Sequence, residues 1–512
     1  MMHPTFSIKF PYIVILIIIF LSFLYVYRLD TLPYATHGDE ASTALQALEI
    51  LHNDIKIIGV GWAYLPIFSY LPNAFFIWLF GNPIVGSRFA SAIFSIFTIL
   101  LFYMFVSLLY SRRIALIASL LLGTSHLWIA LSRLGLPYTQ ATFFVVGSFY
   151  FTLAGIKHGK YRDFIMGGIF LGLCFYSYYA ARITPFILFP NILLHTFVLK
   201  KIKRSICGFI FLIVTTIIVM VPQGKFFFDN PNTFSNRTET VYIFSESGKA
   251  WTQYEYGGKD PLQIVMAQFQ KSINIFAGDN SGQYGYRGQL IDYATLSMFI
   301  GGIIYALLYL NVSHLFIISW FLLTIIVGQV LTTIPSPIFL PRFVVGLPAV
   351  FLFCALGFEL LLKLLKYKNI ASFITIVLIV FIVVYNLQVY FVQYKEHHLR
   401  GAAGDPNALV AKNIASYINS LPPSYTALFL TAPSLYADFE VLRFLAPHAK
   451  RVDIKDLSLL EKRSNIDNDL VFILYPGQQD KLTQLKRLYP EGKASSFTNS
   501  RGMTQFISYT LR

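Results

Sequence analysis

The chain has 512 residues, 56% hydrophobic and 17% aromatic but only 13% charged, with a formal net charge of +15. Soluble domains carry about 25% charged residues, so this composition excludes an ordinary soluble protein and points to a polytopic membrane protein with a smaller aqueous part. The excess of Lys and Arg does not mark a nucleic-acid binder, because these residues cluster in short loops between apolar runs, the positive-inside pattern.

Taken in order, the chain opens with Lys9 and the apolar run Pro11 to Tyr27. No small-residue cleavage pattern follows it, so the run reads as a retained anchor. Next comes Thr36-His37-Gly38-Asp39-Glu40-Ala41, two adjacent acids directly after a membrane-length segment. Ala41, Ala44 or Leu45, Leu48 and Leu51 recur behind them at helical spacing, as in an amphipathic surface helix. Thr36, three residues before Asp39, gives a loose capping box. Neighbouring side chains on a helix diverge by about 100°, so Asp39 and Glu40 do not both face one small target. Asp39 is the residue expected to face a cavity, and Glu40 is the possible second acid. The alternative is that both acids only complement the positive end of the helix dipole.

The basic loops at Lys9, Arg112-Arg113, Lys157 to Arg162, Lys200 to Arg204 and Lys363 to Lys368 are expected on the cytoplasmic side. That orientation leaves the run Leu65 to Phe80, interrupted by Pro66 and Pro72, on the outer surface, since a run of about 15 residues is re-entrant or interfacial more often than spanning. The expected spans are residues 10–28, 88–110, 114–131, 138–156, 164–180, 183–199, 205–222, 293–310, 314–332, 342–362 and 370–391, about eleven helices at the length a bilayer requires. The N-terminus is then inside and the C-terminus outside a plasma (inner) membrane. Residues 1–392 form the transmembrane domain, with external loops 30–87 and 223–292. Residues 393–512 read as a small extracytoplasmic α/β domain. Asn407 to Ile418, Leu435 to Leu445 and Lys481 to Leu488 have helical patterns there, and Ala427 to Leu430, Leu470 to Leu474 and Phe506 to Tyr509 read as strands. No internal repeat or interrupted span is evident. Cys174, Cys207 and Cys354 lie in or beside apolar runs and read as core residues, not as a disulfide framework.

Charges at membrane edges are costly and usually functional. Arg88, Arg133, Arg182 and Arg342 fall at outer helix ends, with Arg237 and Arg287 in the large loop. Each either pairs with an acid or binds a phosphate, whose geometry the guanidinium fork suits; Arg88 has the further option of capping its helix or snorkelling. One carboxylate opposed to several arginines fits transfer of a sugar from a lipid phosphate. The leaving phosphate needs its developing charge neutralised, and the acceptor hydroxyl needs one general base. Direct attack inverts the anomeric centre, whereas double displacement needs a second, nucleophilic carboxylate. The chemistry calls for no metal or other cofactor. His37, Asp39 and Glu40 are too close in sequence to make a coordination set, and His397-His398 reads as a solvated pair. Asn236-Arg237-Thr238 and Asn311-Val312-Ser313 match the glycosylation pattern, which is frequent by chance.

A series of fragments carries a resemblance: Asp39-Glu40-Ala41; Leu79-Phe80-Gly81; Arg88-Phe89-Ala90-Ser91-Ala92; Ser132-Arg133; Tyr176-Ser177-Tyr178 leading to Arg182 and Pro185; and Pro341-Arg342-Phe343 with Pro348. In order and spacing they resemble the membrane glycosyltransferases of GT-C type, within them the bacterial family related to protein O-mannosyltransferases and the lipid A aminoarabinose transferase. The resemblance implies a GT-C-like helical membrane fold, a polyprenyl-phosphate-linked sugar as donor, Asp39 as base toward a lipid, glycan or protein acceptor, and Arg133, Arg182 and Arg342 on the donor phosphate. Many relatives carry a Lys before the Pro of the juxtamembrane helix, where this chain has Ala63-Tyr64-Leu65-Pro66. Some carry an Asp after the Ser-Arg pair, where it has Gly135-Leu136-Pro137-Tyr138. Two other readings stand beside it: a transporter or flippase for a lipid-linked oligosaccharide, for which repeats and broken helices are diagnostic, and a noncatalytic assembly protein.

Overall fold

The computed structural model describes residues 10–200, 202–278, 289–333, 340–394, 406–455, 457, 469–499 and 502–511. Arg287 and His397-His398 lie outside the described residues. The chain separates into two compact units, one made of Met1–Asp30, Gln46–Asn280 and Gly288–Val392, the other including Thr31–Leu45 and Gln393–Arg512.

The first unit is helical, as lipid requires of a chain that must satisfy its own backbone. Its helices are α1 (Phe10–Val26), the C-terminal part of α2 (Gly38–Leu51), α3 (Leu71–Phe80), α4 (Pro83–Leu109), α5 (Arg112–Thr124), α6 (His126–Ser132), α7 (Tyr138–His158), α8 (Tyr161–Cys174), α9 (Thr184–Val198), α10 (Ile202–Asp229), α11 (Pro231–Val241), α12 (Glu246–Tyr256), α13 (Pro261–Asn274), α14 (Tyr293–Leu308), α15 (Val312–Ile325), α16 (Leu347–Leu364) and α17 (Lys368–Gln388). Many begin at residues whose side chains accept the first unpaired N–H groups, among them Asn82, Ser111, Ser125, Asp260, Asp292 and Asn311.

Among the described residues, seven helical stretches are long and apolar enough to cross a membrane, and the pair α5 and α6 makes an eighth if counted as one span. With α1, α8 and α14, of 17, 14 and 16 residues, they coincide with the expected spans. Those three are shorter than the roughly 20 residues that cross the hydrocarbon core. The run Leu65 to Phe80 becomes a 3-10 turn at Ile67–Tyr70 and the ten-residue α3. The segment expected at 114–131 is not one straight helix, because it bends by 64° between Thr124 and His126. Ser125 takes an extended conformation there, and its hydroxyl accepts from Trp128 N. The described part of the stretch 223–292 is largely helical: α10 runs through Pro222 to Asp229, and α11, α12 and α13 follow. Helices α14 and α16 cross at backbone contact. A methyl built on Gly302 would lie 1.7 Å from Phe353 O, and one on Gly357 2.0 Å from Met298 O, so only glycine fits at this crossing.

The second unit is built on a five-stranded sheet of order β2-β1-β3-β5-β4, with β1 Thr426–Phe429, β2 Lys450–Asp453, β3 Leu470–Leu474, β4 Lys493–Thr498 and β5 Thr504–Leu511. Strands β2, β1 and β3 are parallel; β5 runs antiparallel to β3 and β4. Every residue of β3 is buried, as a strand covered on both faces must be. Leu428, Leu470, Phe472, Leu474, Ile507 and Tyr509 form the core with Leu482 and Leu485 from the helix Gln479–Leu488. The other helices are Pro406–Asn419 and Glu440–Leu445.

Candidate functional site

In the helical unit a cavity of about 540 Å³ opens among segments distant in sequence. Its walls come from the 3-10 turn Tyr179–Ile183 that leads into α9, from α11, from the end of α15 with its π-helical extension Ile326–Val330, and from the 3-10 turn Leu340–Gly346 before α16. Most of the lining is apolar, but Arg182, Arg237 and Arg342 all reach it, and no carboxylate is among the described residues that line it. Three guanidinium groups in one apolar cavity, with no acid among the described residues of its wall, concentrate positive charge there, which favours an anion over a cation.

Arg182 shows the demand most directly. Its guanidinium carbon lies 4.5 Å from the ring centre of Tyr179, 4.8 Å from that of Phe234 and 5.7 Å from that of Phe227. This aromatic box holds the cation and shields it from water. Nη1 donates to Phe234 O at 3.4 Å, whereas the buried Nε and Nη2 have no hydrogen-bond partner among the described residues. Unsatisfied buried donors cost about 1–3 kcal/mol each, and a bidentate oxyanion is the acceptor whose shape fits them.

Arg342 is fixed by Nη1 donating to Thr333 O at 2.6 Å. The π-helical turn runs hard against its backbone: a methyl on Gly328 would lie 2.5 Å from Arg342 O. The cavity's outer segments are tied to the same turn. Ile243 N donates to Leu331 O at 3.1 Å, Thr333 N to Val241 O at 2.7 Å, and Gln268 Nε2 to Thr332 O at 3.2 Å. Thus α11 and α13 are seated on the end of α15, and Arg237 arrives with α11. The stretch Ala63-Tyr64-Leu65 also touches this region, through Ala63 O, which accepts from Tyr179 Oη at 2.9 Å.

Arg133 is placed elsewhere. It is fully buried and is not among the residues lining the cavity. Its Nη1 donates to Leu24 O at 2.6 Å and Tyr25 O at 3.0 Å, Nη2 to Tyr27 O, and Nε to Tyr390 Oη at 3.1 Å. The guanidinium therefore satisfies the carbonyls at the open end of α1, which would otherwise be orphaned. Arg88, equally buried, donates to Leu29 O at 2.8 Å on the same stretch.

Asp39 lies in the second unit, in the first turn of α2. His37 rather than Thr36 caps this helix, its Nδ1 accepting from Asp39 N at 3.1 Å. The Asp39 side chain is 30% exposed, whereas Glu40 is buried. The two acids therefore occupy different environments, and the buried stripe behind them is Ala41, Ala44 and Ala47 rather than one through Leu45. No group of three His, Cys, Asp or Glu able to hold a metal ion occurs among the described residues. Cys174 and Cys354 are buried, Cys207 is exposed, and none is in a disulfide.

Of the arginines singled out from sequence, the structure brings Arg182 and Arg342 together and adds Arg237. The signal for Arg237 was present in its position on the long loop expected outside, but nothing local distinguished it from Arg287. The box of Tyr179, Phe227 and Phe234 had no signal at all, since 17% of the chain is aromatic.

Residues 66–223 match the family described as dolichyl-phosphate-mannose-protein mannosyltransferase. That stretch contains Arg88, Arg133 and Arg182, and lies between Asp39 and Arg342. No curated protein matches the sequence. Among solved structures, ArnT from Cupriavidus metallidurans bound to undecaprenyl phosphate is similar with a TM-score of 0.55 at 12% identity, over 98% of this chain and 97% of that one. The Archaeoglobus fulgidus oligosaccharyltransferase tethered to an acceptor peptide containing the NVT sequon gives a TM-score of 0.52 at 12% identity, over 98% of this chain and 74% of that one. The fold is that of the GT-C membrane glycosyltransferases, an apolar helical bundle with a small C-terminal sheet domain.

Proposed function

We propose that the protein transfers a glycosyl unit from a polyprenyl-phosphate sugar to an acceptor hydroxyl on the outer face of the plasma (inner) membrane, with inversion. Arg182, Arg237 and Arg342 hold the donor phosphate, and Asp39 is the general base. The carrying observation is Arg182, whose buried Nε and Nη2 lack partners in a cavity lined by two further arginines. The family match over residues 66–223 supports the reaction class. The structurally similar ArnT is bound to undecaprenyl phosphate, which supports a lipid phosphate as the anion.

In this reaction the acceptor oxygen bonds to the anomeric carbon as the bond from that carbon to the phosphate oxygen breaks. The electron pair stays on the phosphate, which gains one negative charge, and the acceptor proton passes to Asp39. Guanidinium groups stabilise the charge that develops on the leaving group, so no acid is needed there. Arg133 has no part in phosphate binding, because its donors serve the end of α1. Glu40, buried beside Asp39, is not assigned as a nucleophile.

The test is Asp39→Asn in membranes supplied with the lipid-linked sugars of the producing cells. Loss of the base is expected to slow transfer by about a hundredfold or more, with lipid-phosphate binding intact. Undiminished transfer removes Asp39 from the mechanism. The alternative, a flippase for a lipid-linked oligosaccharide, draws on the break between α5 and α6. It requires movement of intact donor without glycosyl transfer, which the same vesicles report.

A further inference from the structure

Asp39 is not carried by the helical unit alone. Its segment, Thr31–Leu45, folds as part of the unit that contains the C-terminal α/β domain. Two side chains of that domain reach the few residues before it. Lys412 Nζ donates to Tyr34 O. The Glu440 carboxylate comes close to the start of α2, where a methyl built on Gly38 would lie 3.9 Å from Glu440 Oε2. A carboxylate there is attracted to the positive end of the helix.

Both side chains sit on firm supports. Lys412 is in the helix Pro406–Asn419, whose Ala408, Ala411, Ile414 and Ala415 are buried. That helix is pinned at its start by Asn407, which donates to Ser434 O at 2.9 Å and accepts from Tyr475 Oη at 3.1 Å. Near its end, Tyr417 Oη pairs with Thr510 Oγ1 on β5 at 3.1 Å. Glu440 opens the helix Glu440–Leu445, whose Val441 and Leu442 are buried. The chain leading into Asp39 is therefore held at Tyr34 by Lys412 and approached at Gly38 by the Glu440 carboxylate.

We infer that the C-terminal α/β domain positions Asp39, with Lys412 as the principal positioning residue and Glu440 as its partner. The inference rests on the reading of Asp39 as the base. Neither Lys412 nor Glu440 touches the reacting atoms; they fix the backbone from which the carboxylate projects. Arginine at position 412 retains a cationic donor for the Tyr34 carbonyl, whereas alanine removes that donor.

Hydrogen exchange read by mass spectrometry on the full-length protein in detergent tests the clamp without any substrate. Lys412→Ala is expected to speed exchange from Tyr34 to Ala41 at least tenfold while β1, β3 and β5 stay protected, and Lys412→Arg is expected to restore protection. In vesicles given extracted lipid-linked sugar, Lys412→Ala is expected to lower kcat at least tenfold at unchanged donor KM. Unchanged exchange and unchanged kcat in Lys412→Ala overturn the inference. If Lys412→Ala loses protection across the sheet as well, Glu440→Gln decides: faster exchange confined to the start of α2 supports the clamp, and none overturns it. Full transfer by Asp39→Asn overturns the base, a result separate from the exchange arm, which still decides whether the domain holds the segment.

Discussion

Arg133 and Arg182 carry the same group on the same unit, and their surroundings put it to opposite uses. Around Arg133 the end of α1 supplies carbonyls, so the guanidinium works as a helix terminator. Around Arg182 there are rings and a cavity, and two donors are left over. Arg133→Ala is expected to strip those carbonyls of their partner and destabilise the protein by about 3 kcal/mol or more, seen as a lowered unfolding midpoint in detergent. Arg182→Ala is expected to leave that midpoint unchanged or raised, because it removes a desolvated charge, and to weaken undecaprenyl phosphate binding at least tenfold. The reverse pattern refutes the division of roles. Sequence placed both residues at helix ends on the outer side and could go no further, because what distinguishes them is contributed by chain more than a hundred residues away from Arg133 and by a box of which two rings, Phe227 and Phe234, are 45 and 52 positions from Arg182.

Elements were legible in proportion to how strongly their apolar pattern repeats. Strands β1 and β3 announced themselves by unbroken apolar runs. Strands β2 and β4, Lys-Arg-Val-Asp and Lys-Ala-Ser-Ser-Phe-Thr, did not, because edge strands with largely exposed side chains need no such run. The membrane helices could be placed, but the break at Ser125 could not, since no Pro marks it and Gly123 stands inside the preceding helical turn. It is fixed instead by tertiary contacts: His126 N and Nδ1 both meet Asn386 Oδ1, at 3.0 and 2.6 Å. Similarly, the π-helical turn after α15 matters for what it lets pass. Gly328→Val is expected to push the Arg342 backbone away, lowering lipid-phosphate affinity by an order of magnitude with the helical content unchanged by circular dichroism. Wild-type affinity in that variant refutes the proposed dependence of Arg342 on the close approach.

At the scale of the whole molecule, the proposed orientation has consequences on both membrane faces. Single cysteines in a background lacking Cys174, Cys207 and Cys354 are expected to react with an impermeant maleimide from outside at Tyr254, which is 88% exposed on α12, but not at Arg112. Labelling at Arg112 from outside inverts the topology and with it the outer-face reaction. The distribution of charge that suggested this orientation is a property of short loops and was open to inspection in the sequence. The cavity was not, because it is assembled from four segments between Tyr178 and Val345 that come together only on folding.

Three arginines lining one cavity repel one another unless an anion lies between them. Any molecule that binds the native protein and not the unfolded chain shifts the balance toward the native side, by about 2.7 kcal/mol at a hundred times its dissociation constant. On the proposed reading, lipid phosphate is therefore expected to stabilise this protein as well as to take part in its reaction. Preparations washed free of lipid by detergent are expected to lose their structure at a lower temperature than those returned to undecaprenyl phosphate, and the rescue should be absent in Arg182→Ala.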